Sequence, residues 1–122
     1  MKYLLLCCID ETRWNGMPEA ERAAVMQDYR AWTEQLDVSR RHYGSAQLES
    51  PASAKTVRQR NGKPMITDGP FAETKEQFGG YHLVECKNLD EAIALAQGIP
   101  TLRVGGLVEV RPVLEAFKGV VA

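Results

Sequence analysis

The sequence predicts an α+β domain in which two helices cover one face of a β-sheet. Short apolar segments alternate with two helical segments, an Asn-Gly turn joins two of the short segments, and no linker or repeat divides the chain. The predicted order is strand, long helix, strand, hairpin, strand, short helix, strand. This order is that of a ferredoxin-like sandwich with an inserted β-hairpin, formed as one domain over residues 1–122.

The first strand is predicted at residues 2–9, a short segment followed by two acidic residues. All residues from Leu4 to Ile9 are apolar, and this lack of alternation indicates burial on both faces of the strand. Because two helices cover only one face of the sheet, we expect the sheet of a second copy to cover the other. The sequence therefore predicts a homodimer.

The long helix is predicted at residues 18–38, with Pro18 in its first turn. Its apolar residues recur at helical spacing and share one face, which we expect to lie in the core. These residues are Val25, Tyr29, Trp32 and Leu36.

The remaining elements follow from turn and capping signals. Asn61-Gly62 is a strong hairpin signal, and Asn88 followed by Glu91 is typical of a helix start. Residues 114–122 are expected to form a loosely attached end. Further strands are predicted at residues 42–48, 54–60, 64–67, 81–86 and 106–113.

The composition excludes several classes of function. The chain has 15 basic and 16 acidic residues, and no basic run suited to a polyanion, so we expect no nucleic-acid partner. The longest apolar run, residues 4–9, is too short to span a bilayer, and we expect no membrane association and a cytoplasmic protein. The three cysteines lack disulfide or zinc spacing, so neither a metal nor another cofactor is predicted.

The most specific motifs lie between residues 66 and 85. Residues 68–71 read Asp-Gly-Pro-Phe, residues 72–77 read Ala-Glu-Thr-Lys-Glu-Gln, and residues 79–81 read Gly-Gly-Tyr. In these motifs the chain resembles the YCII-related proteins of the DGPF type. The resemblance continues at residues 2–6, 88–92 and 109–113.

This resemblance implies a dimeric α/β barrel but does not select an activity. Most members of the family are uncharacterised, and many are encoded beside extracytoplasmic-function sigma factors, which implies a functional link to such a factor. The wider superfamily includes isomerases, dehalogenating enzymes, haem-degrading oxygenases and ligand-sensing domains. Classical members carry a His–Asp pair with the His on the first helix. The helix at 18–38 has no His, so only Asp68 matches that pair.

Asp68 is the first candidate for catalysis, because it follows a strand and begins a Gly-Pro turn. Partial burial there would raise the pKa of a carboxyl and suit it to act as a general base. The alternative is that Asp68 caps its own turn. His42 and His82 are candidate proton-transfer partners, because imidazole titrates near neutral pH.

Four further residues are candidates for ligand binding. Arg58 and Arg111 are cations within strands, and with Lys75 they would bind a carboxylate or phosphate. The alternative is a set of ion pairs that fixes the loop near Lys75. Tyr81 alternates with His82, so the two side chains face opposite sides of the sheet.

Three functions remain open at this point. The first is a small acid–base enzyme acting on a small anionic or aromatic molecule, with Asp68 as base and Arg58 as anchor. The second is a non-catalytic ligand-binding or regulatory dimer. The third is an interaction module without a ligand. The side chains that share a pocket with Asp68 would discriminate among them.

Overall fold

The computed structural model of the protein describes residues 1–114. The end predicted at 114–122 lies outside the described residues, apart from Leu114. The chain forms β1 (Lys2–Ile9), α1 (Glu11–Asn15), α2 (Glu19–Val38), β2 (His42–Gln47), β3 (Lys55–Arg60), β4 (Lys63–Asp68), β5 (Gln77–Glu85), α3 (Leu89–Ala96) and β6 (Leu107–Pro112), with short 3-10 helices at Pro51–Ser53 and Pro100–Val104.

Four strands form the main sheet in the order β2-β5-β1-β6, and every neighbouring pair is antiparallel. Without the hairpin, these strands are the second, third, first and fourth of the chain, which is the ferredoxin-like order. The predicted α+β class and the predicted sequence of strands are confirmed. No helix within residues 1–114 is long and apolar enough to cross a membrane.

The central strand β1 carries apolar side chains on both faces of the sheet. Tyr3, Leu5 and Cys7 are buried on the face that packs against the helices. Leu4 and Leu6 alternate with them and are partly exposed on the outer face. The absence of alternation in the sequence therefore corresponds to two apolar faces.

Helix α2 packs on the inner face of the sheet through the residues that its spacing predicts. Val25 and Leu36 are buried, and Tyr29 and Trp32 pack against the core. The Trp32 indole N–H also donates to the Leu95 carbonyl of α3 at 3.2 Å, which links the two helices. The predicted start at Pro18 is one residue early, because Pro18 is the N-cap and the helix begins at Glu19.

Two local capping interactions define the shorter helices. In α3 the Asn88 side chain accepts a hydrogen bond from the Glu91 N–H at 2.9 Å, as the sequence predicts. Helix α1 was not predicted. The Asp10 side chain accepts from the Arg13 N–H at 3.3 Å and starts a helix of only five residues.

The predicted hairpin is present, and β3 and β4 form a separate two-stranded sheet. Asn61 and Gly62 have φ angles of 53° and 77°, the left-handed region that tight hairpin turns require. Nearly all side chains of both strands are exposed, so the hairpin contributes little to the core.

A β-bulge in β2 decides which side chains reach the inner face. His42 lies opposite Val84 and Ser45 lies opposite His82, while two residues of β2 are accommodated opposite Leu83. Residues three apart in a regular strand face opposite sides. The extra residue of the bulge brings His42 and Ser45 to the same face, and it does so beside His82.

Truncation of the α2 core contact is expected to destabilise the fold. Leu36 is 1% exposed, and Leu36→Ala should lower the free energy of unfolding by about 3 kcal/mol through lost burial and a residual cavity. Val38→Ala, at a residue that is 80% exposed on the same helix, is the control and should change stability by less than about 0.5 kcal/mol. Urea unfolding at one protein concentration measures both variants, and equal losses would contradict this packing.

Candidate functional site

A cavity of about 330 Å³ lies where α2 faces the inner side of β1, β2 and β5. Most of its wall is apolar, with a few polar side chains between the apolar ones. Its lining residues are Cys7, Ile9, Trp14, Met26, Tyr29, Thr33, Ser45, Ala46, Gln47, Gly79, Gly80, Tyr81, His82 and Thr101.

His82 is the polar centre of this wall. It lies on β5, is only 6% exposed, and has a hydrogen-bond partner at each ring nitrogen. The Tyr29 hydroxyl lies 2.5 Å from Nε2, and Ser45 Oγ lies 2.6 Å from Nδ1. The Trp32 ring packs edge-on against the imidazole with 4.8 Å between ring centroids. The imidazole is therefore held by α2 on one side and by β2 on the other.

Burial determines the protonation states of His82 and Tyr29. Burial, with a smaller contribution from nearby His42, lowers the pKa of His82 to about 4, so its imidazole is neutral at pH 7. Burial also raises the pKa of the Tyr29 phenol, which keeps its proton. A neutral imidazole accepts at one nitrogen and donates from the other. When the phenol donates to Nε2, the His82 proton is on Nδ1 and points toward Ser45.

The hydrogen bonds continue from this pair in both directions. Cys7 Sγ lies 3.5 Å from the Tyr29 hydroxyl, and burial raises the pKa of the Cys7 thiol, which stays protonated. On the other side, Ser45 is also hydrogen-bonded to His42 Nε2, and His42 Nδ1 lies 2.5 Å from Asp37 Oδ1. Six side chains thus form one continuous chain from the cavity wall to exposed Asp37.

The structure brings the two candidate histidines together. Their rings lie 6.2 Å apart, and Ser45 contacts both. Asp68 is elsewhere, at the end of β4, where it is 88% exposed, forms an ion pair with Lys55 and does not border the cavity. Of the residues predicted for proton transfer, only the histidines share this site.

The four predicted ligand-binding residues are dispersed. Arg58 is exposed on β3. Arg111 lies on the outer face of β6 and pairs at 2.6 Å with Glu109, rather than with the acidic residues of the loop near Lys75. Lys75 borders a second, open cleft of about 500 Å³ beside α1. Tyr81 borders the cavity, although its alternation with His82 places its side chain on the outer face.

Four residues of the hydrogen-bonded chain were missed as site residues in the sequence: Cys7, Tyr29, Ser45 and Asp37. Tyr29 was predicted as a core residue, and its helical spacing does not reveal that its hydroxyl meets an imidazole. Ser45 and Asp37 carried no motif, because the bulge alone aligns Ser45 with His42. Among residues 1–114, no group of three His, Cys, Asp or Glu side chains is placed to hold a metal ion.

Comparisons with known proteins show the family and the fold. Residues 1–117 match the YCII-related domain. An uncharacterised protein of Rhizobium meliloti is 35% identical over 113 residues, which cover 92% of this chain and 91% of the relative. The chain therefore belongs to the YCII-related family, and the resemblance seen in the sequence is confirmed.

A solved structure shares the fold at low sequence identity. It is the 5-chloro-2-hydroxyhydroquinone dehydrochlorinase of Burkholderia phenoliruptrix AC1100, in complex with 2,5-dihydroxybenzoquinone. The two chains are 14% identical, with a TM-score of 0.55, and the match covers 93% of this chain and 94% of the other. The similarity shows the fold and supports the ferredoxin-like class.

The buried neutral histidine is expected to make stability depend on pH. The pKa of His82 is about 4 in the folded protein, below the ordinary value of 6.5, so the unfolded chain binds more protons between these values. This contribution is complete above pH 6.5 and is lost as the pH falls toward 4, by on the order of 3 kcal/mol. We expect His82→Gln to remove most of that dependence. Urea unfolding from pH 7.5 to 4 measures it, and parallel curves for the two proteins would contradict the assignment.

Proposed function

We propose that this member of the YCII-related family is an enzyme that transfers a proton from or to a small hydroxylated aromatic molecule bound in the cavity. The observation that carries the proposal is a neutral, buried imidazole whose Nε2 lies 2.5 Å from the hydroxyl of a phenol on the cavity wall. In this proposal Tyr29 contacts the bound molecule, and His82 accepts the proton that Tyr29 releases.

The cavity supports a small ring as the substrate. Its volume lies in the usual range for small-molecule sites, roughly 300–1,000 Å³. Apolar residues and the aromatic side chains of Trp14 and Tyr29 would contact the faces of a ring, while the few polar groups would orient its hydroxyls. The fold relative that acts on a chlorinated hydroxyhydroquinone supports the same class of molecule.

The proposed proton transfer proceeds through the existing hydrogen bond. A substrate hydroxyl placed at Tyr29 gives its proton to the phenol oxygen while the phenol proton crosses the hydrogen bond to His82 Nε2, whose two heavy atoms are 2.5 Å apart. The products are a substrate anion and an imidazolium, and the reverse transfer reprotonates the substrate. Because burial disfavours the imidazolium, His82 holds this positive charge only transiently.

Asp68 as the base, with Arg58 as anchor, stays a prediction. Both residues are exposed on the hairpin, and Asp68 already pairs with Lys55. That mechanism requires a ligand site at the hairpin, outside the cavity. The geometry of the cavity favours His82 in the role of base, because a buried imidazole and a lining phenol are already joined there.

A second candidate function is a ligand-binding regulatory dimer without catalysis. The largely apolar wall of the cavity favours it, since such a wall suits binding as well as chemistry. A functional link to an extracytoplasmic-function sigma factor, which the family resemblance implies, stays a prediction of this candidate. For either function we infer a cytoplasmic location, supported by the three free cysteines.

We also propose that the protein is a homodimer joined through the outer face of the main sheet. Helices α2 and α3 pack on the face that carries Leu5 and Val84. The opposite face presents the partly exposed side chains of Leu4 and Leu6 on the central strand β1. A second sheet would bury these side chains as in other sheet-on-sheet packings.

The proposed acid–base pair predicts a loss of turnover without a loss of binding. With 5-chloro-2-hydroxyhydroquinone as the test substrate, His82→Gln should lower chloride release by about 10²–10⁴-fold, the usual contribution of a general acid–base group. The affinity for 2,5-dihydroxybenzoquinone, measured by calorimetry, should stay within about threefold of the wild-type value, because Tyr29 rather than His82 touches the ligand. Tyr29→Phe should lower turnover comparably.

Tyr43→Phe is the matched control, because Tyr43 is half exposed on β2 and its hydroxyl faces Glu85. It should behave as the wild type. Binding of 2,5-dihydroxybenzoquinone with no turnover in any protein would favour the ligand-binding candidate. Unchanged turnover in His82→Gln would reject the proposed base.

The dimer predicts a change of mass when the outer face is charged. We expect the wild type to elute as a dimer in size-exclusion chromatography with light scattering. Leu6→Lys, which places a charge on the outer face of β1, should give a folded monomer. Val38→Lys, on the exposed side of α2, should stay dimeric. A monomeric wild type would overturn this proposal.

A further inference from the structure

Three side chains beyond the Tyr29–His82 pair have no role in the proposed function. Ser45 is hydrogen-bonded to both histidines, and His42 is hydrogen-bonded to Asp37. Exposure increases outward along this branch, since the side chain of His42 is 17% exposed and that of Asp37 is 59% exposed. The branch therefore connects the buried imidazole to solvent.

The hydrogen bonds of this branch share one direction. The Asp37 carboxylate only accepts, so a neutral His42 donates to it from Nδ1 and has an acceptor at Nε2. The Ser45 hydroxyl donates to that acceptor, and its oxygen accepts from His82 Nδ1–H. Tyr29 then donates to His82 Nε2, as the pair requires. Each group between Tyr29 and His42 donates once and accepts once.

We propose that Ser45, His42 and Asp37 form a proton relay between the cavity and solvent. That the proton comes from a bound substrate rests on the proposed function. The proton that reaches His82 Nε2 displaces the Nδ1 proton to Ser45 Oγ, and the Ser45 proton moves to His42 Nε2. No charge remains on His82 or Ser45. The balance is one proton lost by the substrate and one gained by His42, which becomes an imidazolium.

The location of the charge explains why a relay is needed. An imidazolium at the position of His82 lacks a carboxylate partner and is buried. At His42 it lies 2.5 Å from the Asp37 carboxylate and is partly in contact with solvent. An adjacent carboxylate stabilises imidazolium. The relay therefore moves the charge from a costly position to a favourable one.

The same three residues also have the order of a Ser–His–Asp triad, in which the serine is a nucleophile. Here Ser45 Oγ also accepts from a second histidine, His82, and the residue lies within the paired strand β2 rather than at a helix N-terminus. This arrangement favours passage of a proton through the hydroxyl over attack by it.

Nitrogen NMR of the unliganded protein tests the relay. In ¹⁵N-labelled wild type at pH 8, we expect both histidines to carry their proton on Nδ1. When His42 gains a proton at lower pH, its Nε2–H donates to Ser45 and the hydrogen bonds reverse. His82 should then exchange its Nδ1 proton for one on Nε2 while staying neutral. The titratable side chains that contact the two rings are Tyr29 for His82 and Asp37 for His42, with Cys7 beyond Tyr29.

Variants distinguish proton transfer through Ser45 from a direct electrostatic effect of the charged His42 ring on His82. Ser45→Ala should abolish the change at His82 while His42 still titrates, and Ser45→Thr, which keeps a hydroxyl, should retain it. In Asp37→Asn, protonation of His42 and the change at His82 should still occur at one common pH. Glu34→Gln, at an exposed carboxylate one turn earlier on α2, should leave both in place.

Two results would overturn the relay. One is a His82 that keeps its proton on Nδ1 throughout the titration of His42. The other is a change at His82 that persists in Ser45→Ala. Should Ser45→Ala not fold, Asp37→Asn and Ser45→Thr decide the question. These spectra need no ligand, so failure of the relay is distinguishable from failure to bind or turn over the aromatic probes.

Discussion

The hydrogen-bonding requirement of one buried imidazole links the main elements of this fold. A buried polar group without a hydrogen-bond partner costs about 1–3 kcal/mol, and each of the two ring nitrogens of buried His82 therefore needs a partner. Tyr29 from α2 satisfies one, and Ser45 from β2 satisfies the other. The apolar core accounts for most of the buried surface, but apolar contacts do little to fix the relative orientation of the helices and strands. The imidazole fixes that orientation, because its two hydrogen bonds form only when α2, β5 and β2 are in one particular arrangement.

The elements that sequence reasoning predicted correctly depend on local signals. The spacing of Tyr29 and Leu36 shows which face of α2 is buried, Asn61-Gly62 determines the hairpin turn, and Asn88 begins α3. The site depends on non-local geometry. Ser45 aligns with His82 only through strand pairing, and it aligns with His42 only because the strand bulges. A buried tyrosine also has the same spacing whether its hydroxyl meets solvent or a histidine.

The Asp-Gly-Pro-Phe motif and the residues that form the cavity chemistry lie in different parts of the molecule. The Asp-Gly-Pro-Phe motif begins at the end of the exposed hairpin, where Asp68 pairs with Lys55 and Phe71 is largely exposed. The Gly-Gly-Tyr motif borders the cavity and directly precedes His82, whereas Tyr29 and Ser45 belong to no motif. The Asp-Gly-Pro-Phe motif therefore identifies the family but lies on the hairpin, whereas the cavity is formed by segments that are distant in the sequence.

The bulge in β2 also has an evolutionary consequence. If β2 paired regularly with its length unchanged, His42 would turn to the opposite face, because it lies three residues before Ser45. Leu36 and Val84, which are buried on other elements, would keep their places in the core. Loss of the bulge at constant chain length could thus remove the link between Ser45 and Asp37 and preserve the domain. Descendants of one ancestral fold could in this way lose or regain the connection to solvent while their hydrophobic cores stay the same.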